Sequence, residues 1–252
     1  MAQIYFNKQA VNAGECVAEA WEALKPQFWL FLGMIAVAYL LMMITSCIPL
    51  LGAAISGPFL CGIFAAALTV LRKRPLQFET IFDGFRIFLP AALTSVIITL
   101  PATLNQILDL VLNGFRLTAV IQGEDPDSGL SEGTLFFFLA VRIVLFIITL
   151  IASYLFIFAF ALLIDKRLTV GAALSTSAKA VFANFGGVFV LCILNTLIIL
   201  GGILVFCIGF FFAFPLVLTT TAAAYRAIFP DEESEMTPDF QPPTPDAYFG
   251  SY

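Results

Sequence analysis

Six long apolar stretches divide this chain, and nearly every positive charge sits at one set of their ends. Charged side chains and unpaired backbone groups are costly in hydrocarbon. Segments of this kind therefore cross a bilayer as helices, and the lysines and arginines mark the side that stays behind. Of 252 residues, 61% are apolar and 12% are charged. That is about half the charged fraction of an ordinary soluble domain, roughly 25%. Lipid is the solvent this composition suits.

The apolar runs place spans at about 28–47, 52–71, 88–112, 135–164, 185–204 and 208–227, with the fourth long enough to tilt or to extend past the bilayer. A cleavable signal peptide is not expected, because the first run begins at Phe28, lasts about twenty residues and lacks a small-residue cleavage site. Ten of the twelve basic residues (Lys8, Lys25, Arg72, Lys73, Arg74, Arg86, Lys166, Arg167, Lys179 and Arg226) fall at the N-terminus, in the 2–3 and 4–5 loops, or at the end of span six. Arg116 and Arg142 are the other two. The positive-inside rule then places both termini in the cytoplasm. The loop 113–134, with Glu124, Asp125, Asp127 and Glu132, is compatible with the outer face.

The chain also matches itself. A shift of 157 residues, without gaps, sets Gly14 on Gly171, Phe28 on Phe185, Gly52 on Gly209, Pro58 on Pro215 and Ala65-Ala66-Ala67 on Ala222-Ala223-Ala224. Ahead of each hairpin lies an apolar stripe at helical spacing. The stripes are Val17, Trp21, Leu24 and Phe28; Phe78, Phe82, Phe85 and Leu89; and Leu174, Ala178, Val181 and Phe185. The expected fold class is all-α: a polytopic membrane protein of six transmembrane helices in three helix-plus-hairpin modules, about 11–72, 73–167 and 168–229, each opening with a cytoplasmic interfacial helix. The repeats run parallel, since each module enters from the same side. Residues 230–252 form an acidic, Pro-rich tail whose composition predicts disorder in the cytoplasm.

The run Ile164-Asp165-Lys166-Arg167-Leu168-Thr169, followed by Ala173-Leu174-Ser175-Thr176-Ser177 and Asn184-Phe185, resembles a bacterial integral-membrane family of largely unknown function. That family includes the membrane domain attached to some glycerophosphoryl diester phosphodiesterases. The stretch from Gly57-Pro58 to Arg72, with Phe78 to Phe85, is similar to a related uncharacterised family. The resemblance implies a membrane domain built of charged turns, short helices and apolar spans. It does not imply phosphodiesterase activity, because no histidine and no long soluble segment is present.

Chemistry is sparse. The absence of histidine removes the commonest general base and the commonest zinc ligand. The five cysteines (Cys16, Cys47, Cys61, Cys192 and Cys207) form no close CxxC pair; a Cys47–Cys207 bridge is conceivable, and burial as small apolar residues is the plainer role. No nucleophile–base pair, metal set or cofactor motif is visible, and no basic face suits nucleic acid. The candidate intramembrane ion pair is Asp109 with Arg142, which an antiparallel hairpin brings together as a clasp or as a substrate anchor. Asn105, Gln106 and Asn195 are candidate polar helix contacts. Arg72, Lys73 and Arg74 are candidate contacts for anionic lipid headgroups as well as a topology signal. The expectation is a non-catalytic membrane scaffold, regulatory or assembly component. Its partners would be membrane lipids and a cytoplasmic or membrane protein met through the interfacial helices or the tail. The alternative is a transporter or lipid-handling protein that uses the bundle interior.

Overall fold

The computed structural model describes residues 6–46, 48–123, 132–204 and 208–230. The envisaged Cys47–Cys207 bridge, the acidic loop residues Glu124, Asp125 and Asp127, and the tail from 231 onward lie outside them. Among the described residues all regular structure is helical. The α-helices are α1 (Ala13–Leu24), α2 (Phe28–Thr45), α3 (Pro49–Leu71), α4 (Phe88–Ile121), α5 (Glu132–Leu155), α6 (Ala159–Asp165), α7 (Val170–Ala183), α8 (Phe185–Leu204) and α9 (Ile208–Ile228), with 3-10 segments at Lys25–Gln27 and Phe78–Ile87. Six helical stretches, Ala13–Thr45, Leu50–Leu71, Phe78–Ile121, Gly133–Asp165, Phe185–Leu204 and Gly209–Ile228, are long and apolar enough to cross a bilayer. The molecule is a multi-pass helical membrane protein.

Two spans depart from the lengths read in the sequence. The third continues to Ile121, so α4 has 34 residues. At about 1.5 Å per residue it reaches roughly 51 Å, well beyond the ~30 Å hydrocarbon core. The fourth is not one long rod: it breaks at 156–158 into α5 and the short α6. A break strands backbone groups, which is costly in hydrocarbon. Ser177 of α7 repairs it, donating to the Leu155 carbonyl at 2.9 Å and accepting from the Phe158 N–H at 3.3 Å. The break turns α6 inward, where Ala159 and Ala161 are fully enclosed, while no residue in the most apolar stretch of α5 is buried.

The core lies where α3, α6 and α9 meet. Its contacts are made largely by alanine: Ala66 and Ala67 of α3, Ala161 of α6, and Ala222 and Ala224 of α9 have no exposed surface. Lipid tails offer no hydrophobic drive between helices, so close approach of small residues takes its place. The same logic sorts the stripes on the leading helices: Leu24 and Val181 are buried, and most of the aromatic residues face outward. Trp21, Phe78, Phe82, Phe85 and Phe185 are exposed. The buried faces carry Ala13, Cys16, Ala20 and Leu24 in α1, Ile81 and Gly84 in the 3-10 segment, and Ala173, Ser177, Ala180 and Val181 in α7. A bulky aromatic loses nothing by facing lipid, whereas a small residue is needed where backbones touch.

These leading segments pack in a fixed order. The 3-10 segment Phe78–Ile87 lies on α3, α7 lies on α6, and α1 lies on α9. Backbone contact is closest in the first of these: a Cβ at Gly62 would strike the Ile81 carbonyl, and one at Gly84 would strike the Pro58 carbonyl. Each leading segment thus seats against the helix that ends the preceding hairpin, and the first seats against the last.

Candidate functional site

The ends of α3, α6 and α9 converge, and their charged residues follow from how each helix stops. Helix α3 ends in a Schellman turn: the Lys73 N–H bonds Val70 O at 2.9 Å and the Arg74 N–H bonds Thr69 O at 3.1 Å. Lys73 adopts φ 54° to make it. After α6 and its Lys166 cap, Arg167 likewise adopts a left-handed φ of 49°. Left-handed backbone at these positions usually goes to glycine. Basic side chains here instead face the negative ends of two helix dipoles.

Asp165, the last residue of α6, joins the three ends. Its carboxylate pairs with Arg72 Nη2 at 2.7 Å and accepts the Tyr225 hydroxyl at 2.8 Å. Next to it, Arg226 Nη1 donates to Leu71 O at 3.0 Å and to Glu19 of α1 at 3.1 Å. One residue from each of α3, α6 and α9 is therefore tied into a polar node over the alanine core.

Beside the node opens a cleft of about 800 Å³, between the end of α3, the Phe78–Ile87 segment with the start of α4, and the α6–α7 turn. Arg72, Arg74, Arg86 and Arg167 line it with Asp83, Asp165, Thr69 and Thr80, over an apolar wall that includes Leu68, Ile87, Leu163 and Leu168. Arg86 Nε pairs with Asp83 at 3.2 Å.

Two side-chain amides hold neighbouring segments by their backbone. Gln27, where α1 meets α2, donates to Arg74 O at 3.0 Å and accepts the Leu76 N–H at 2.5 Å. Asn184, where α7 meets α8, donates to Asn7 O at 3.0 Å and accepts the Ala10 N–H at 2.9 Å. Each amide fixes the non-helical stretch that leads into another leading segment, 74–76 before Phe78–Ile87 and 7–10 before α1.

The residues singled out in the sequence fall in several places. Arg142 Nη1 and Asp109 Oδ1 pair at 2.7 Å between α5 and α4, with both side chains more than two-fifths exposed. The pair belongs to the outer hairpin, away from the alanine core. Asn105 lines a smaller cavity of about 320 Å³ with Arg142, Ile143 and Phe146, and its Oδ1 is buried without a partner. Gln106 is exposed. Asn195 of α8 is buried and its Nδ2 reaches Thr221 Oγ1 of α9 at 3.4 Å. Arg72 and Arg74 line the cleft, and Lys73 stands exposed between them. Among the described residues no group of three potential ligands is placed to hold a metal ion.

Sequence reading missed Asp165, Tyr225, Gln27 and Asn184 as tertiary contacts. One signal was available for the amides: the 157-residue shift that aligns the hairpins also sets Gln27 on Asn184. Comparison with protein-family models, curated proteins and solved structures returned no match.

Proposed function

We propose that the protein is a non-catalytic scaffold, regulatory or assembly component of a bacterial inner membrane, built from three parallel modules (11–72, 73–167 and 168–229) arranged as a ring. Each module is a leading segment and two spans, and each leading segment seats on the second span of the module before it. Support comes from the cyclic order of contacts, α1 on α9, Phe78–Ile87 on α3 and α7 on α6. Burial follows the same register: Cys16 and Ala173, Ala20 and Ser177, Leu24 and Val181, Phe31 and Val188, and Met34 and Leu191 are buried pairs 157 residues apart. Both termini and the basic end face the cytoplasm in this reading, by the positive-inside rule.

The observation that carries the scaffold reading is the closed centre. Alanine contacts fill the meeting of α3, α6 and α9, and the Arg72–Asp165–Tyr225 node caps it. A bundle closed in this way offers surfaces rather than a route. The leading segments and the tail supply the contact surface. Purification in mild detergent tests this: a stoichiometric partner co-purifies, and it is lost when residues 231–252 are deleted or the exposed face of α1 is altered. A protein that purifies alone at full yield, with the tail intact, contradicts it.

A lipid-handling role is the second reading, and the arginine-lined cleft favours it. The site lies at the basic end of the bundle, where headgroups of the inner leaflet would stand, and not in the interior.

A further inference from the structure

The ring has three junctions at its basic end, where the start of one module's first span meets the segment leading into the next module. Two are closed by the chain itself. Gln27 grips 74–76, and Asn184 grips 7–10. The third lies between the start of α4 and the α6–α7 turn. Ile87 and Arg86 stand there in place of a gripping amide, and the cleft opens between them and Arg167-Leu168. The one junction left open is thus the one lined by four arginines, which outnumber the two aspartates by two.

We infer that this open junction is a binding site for a phosphate-bearing anion, the headgroup of an anionic phospholipid or a soluble phosphate ester of the same chemistry. Guanidinium forks match phosphate oxygens in pairs, and an arginine cluster is the usual device for holding them. The Thr80 hydroxyl on the wall adds a neutral donor, whereas Thr69 already donates its own to the Ala65 carbonyl at 2.8 Å. The volume, about 800 Å³, falls in the ~300–1,000 Å³ range of small-ligand sites and exceeds what bare phosphate would fill. The apolar part of the wall, Leu68, Ile87, Leu163 and Leu168, gives a glycerol backbone or the first methylenes of an acyl chain a surface that water does not compete for. Arg72 stays committed to Asp165, so it fixes the wall, while Arg86, paired with Asp83 at 3.2 Å, and Arg167 stand on exposed positions.

This inference rests on the lipid-handling reading and is independent of whether a protein partner exists, so the co-purification assay and the assay below fail separately. The full chain, delipidated in detergent, is titrated with phosphatidylglycerol, with phosphatidylcholine and with glycerol 1-phosphate, and bound ligand is counted by native mass spectrometry. Phosphatidylglycerol binds at least tenfold tighter than phosphatidylcholine. Arg86→Gln with Arg167→Gln weakens it about thirtyfold, the effect of removing two cations beside an anionic headgroup. Lys179→Gln, a basic residue of α7 outside the cleft, leaves it within twofold. Melting without ligand checks the fold. If the double variant does not fold, Arg167→Gln alone carries the test with a loss of about fivefold. Glycerol 1-phosphate binding with the same arginine dependence assigns the site to soluble esters, and its failure to bind assigns it to lipid. Equal binding of the two lipids together with no binding of the ester, or an effect of Lys179→Gln equal to that of the cleft variants, overturns the inference.

Discussion

Asp165 ties three helix ends together. A carboxylate between Arg72 and Tyr225 has both oxygens engaged, and it links the ends of α3, α6 and α9. Hydrogen bonds to charged groups contribute about 1.5–3 kcal/mol, so Tyr225→Phe is expected to lower unfolding stability in detergent by about that amount. Asp165→Asn should cost more, because the ion pair with Arg72 is lost as well; equal melting of wild type and both variants would contradict the node. Lys73 predicts the opposite sign. It holds the left-handed turn after α3 at φ 54°. A side chain there costs about 1–2 kcal/mol that glycine avoids, offset in part by glycine's greater freedom when unfolded. Lys73→Gly is therefore expected to raise the melting temperature, with Arg72 and Arg74 still in place. Neither role could be read from the chain alone. Asp165 and Tyr225 are 60 residues apart, and a carboxylate in a charged turn looks like a solvated group until the third helix arrives.

At the scale of the element, apolar runs marked every span, because the bilayer demands length and hydropathy that few other structures need. The ends and breaks were less legible. The interruption at 156–158 carries no proline or glycine, and the repair comes from Ser177 on another helix. Ser177→Ala strands a carbonyl and an N–H in an apolar setting, at a cost of about 1–3 kcal/mol. Unfolding monitored by helicity should show that loss, while Ser175→Ala, on the exposed side of α7, should be neutral. The leading segments teach a related lesson. The aromatic residues of the apolar stripes are mostly exposed, while Leu24 and Val181 of the same stripes dock together with the small residues beside them. In water the bulky stripe turns inward; in lipid the choice falls to whichever face lets backbones approach. Gly62→Ala tests this at the tightest contact, where a methyl group would meet the Ile81 carbonyl. It should release the Phe78–Ile87 segment from α3, seen as new protease cleavage near residue 78, whereas Gly114→Ala, in open space on α4, should change nothing.

For the whole molecule, the proposed modular ring rests on the 157-residue shift. It aligned landmarks of the first and third hairpins, and the same register relates buried faces and the two gripping amides. The middle hairpin was harder to place, because its leading segment is a 3-10 helix, its first helix is overlong and its second is broken. The Phe78–Ile87 segment, the start of α4 and the end of α6 also border the arginine-lined cleft. Everything proposed for that cleft depends on which face of the bilayer it occupies relative to the tight turn near Ser46 and the loop near Gly123. Single cysteines placed at Lys8, Lys179, Ser46 and Gly123 in a cysteine-free chain, and labelled with a membrane-impermeant maleimide in sealed vesicles of each orientation, test this directly. Lys8 and Lys179 should react only from the cytoplasmic side, and Ser46 and Gly123 only from the other. Labelling of Lys8 and Gly123 from the same side would contradict the six-span account.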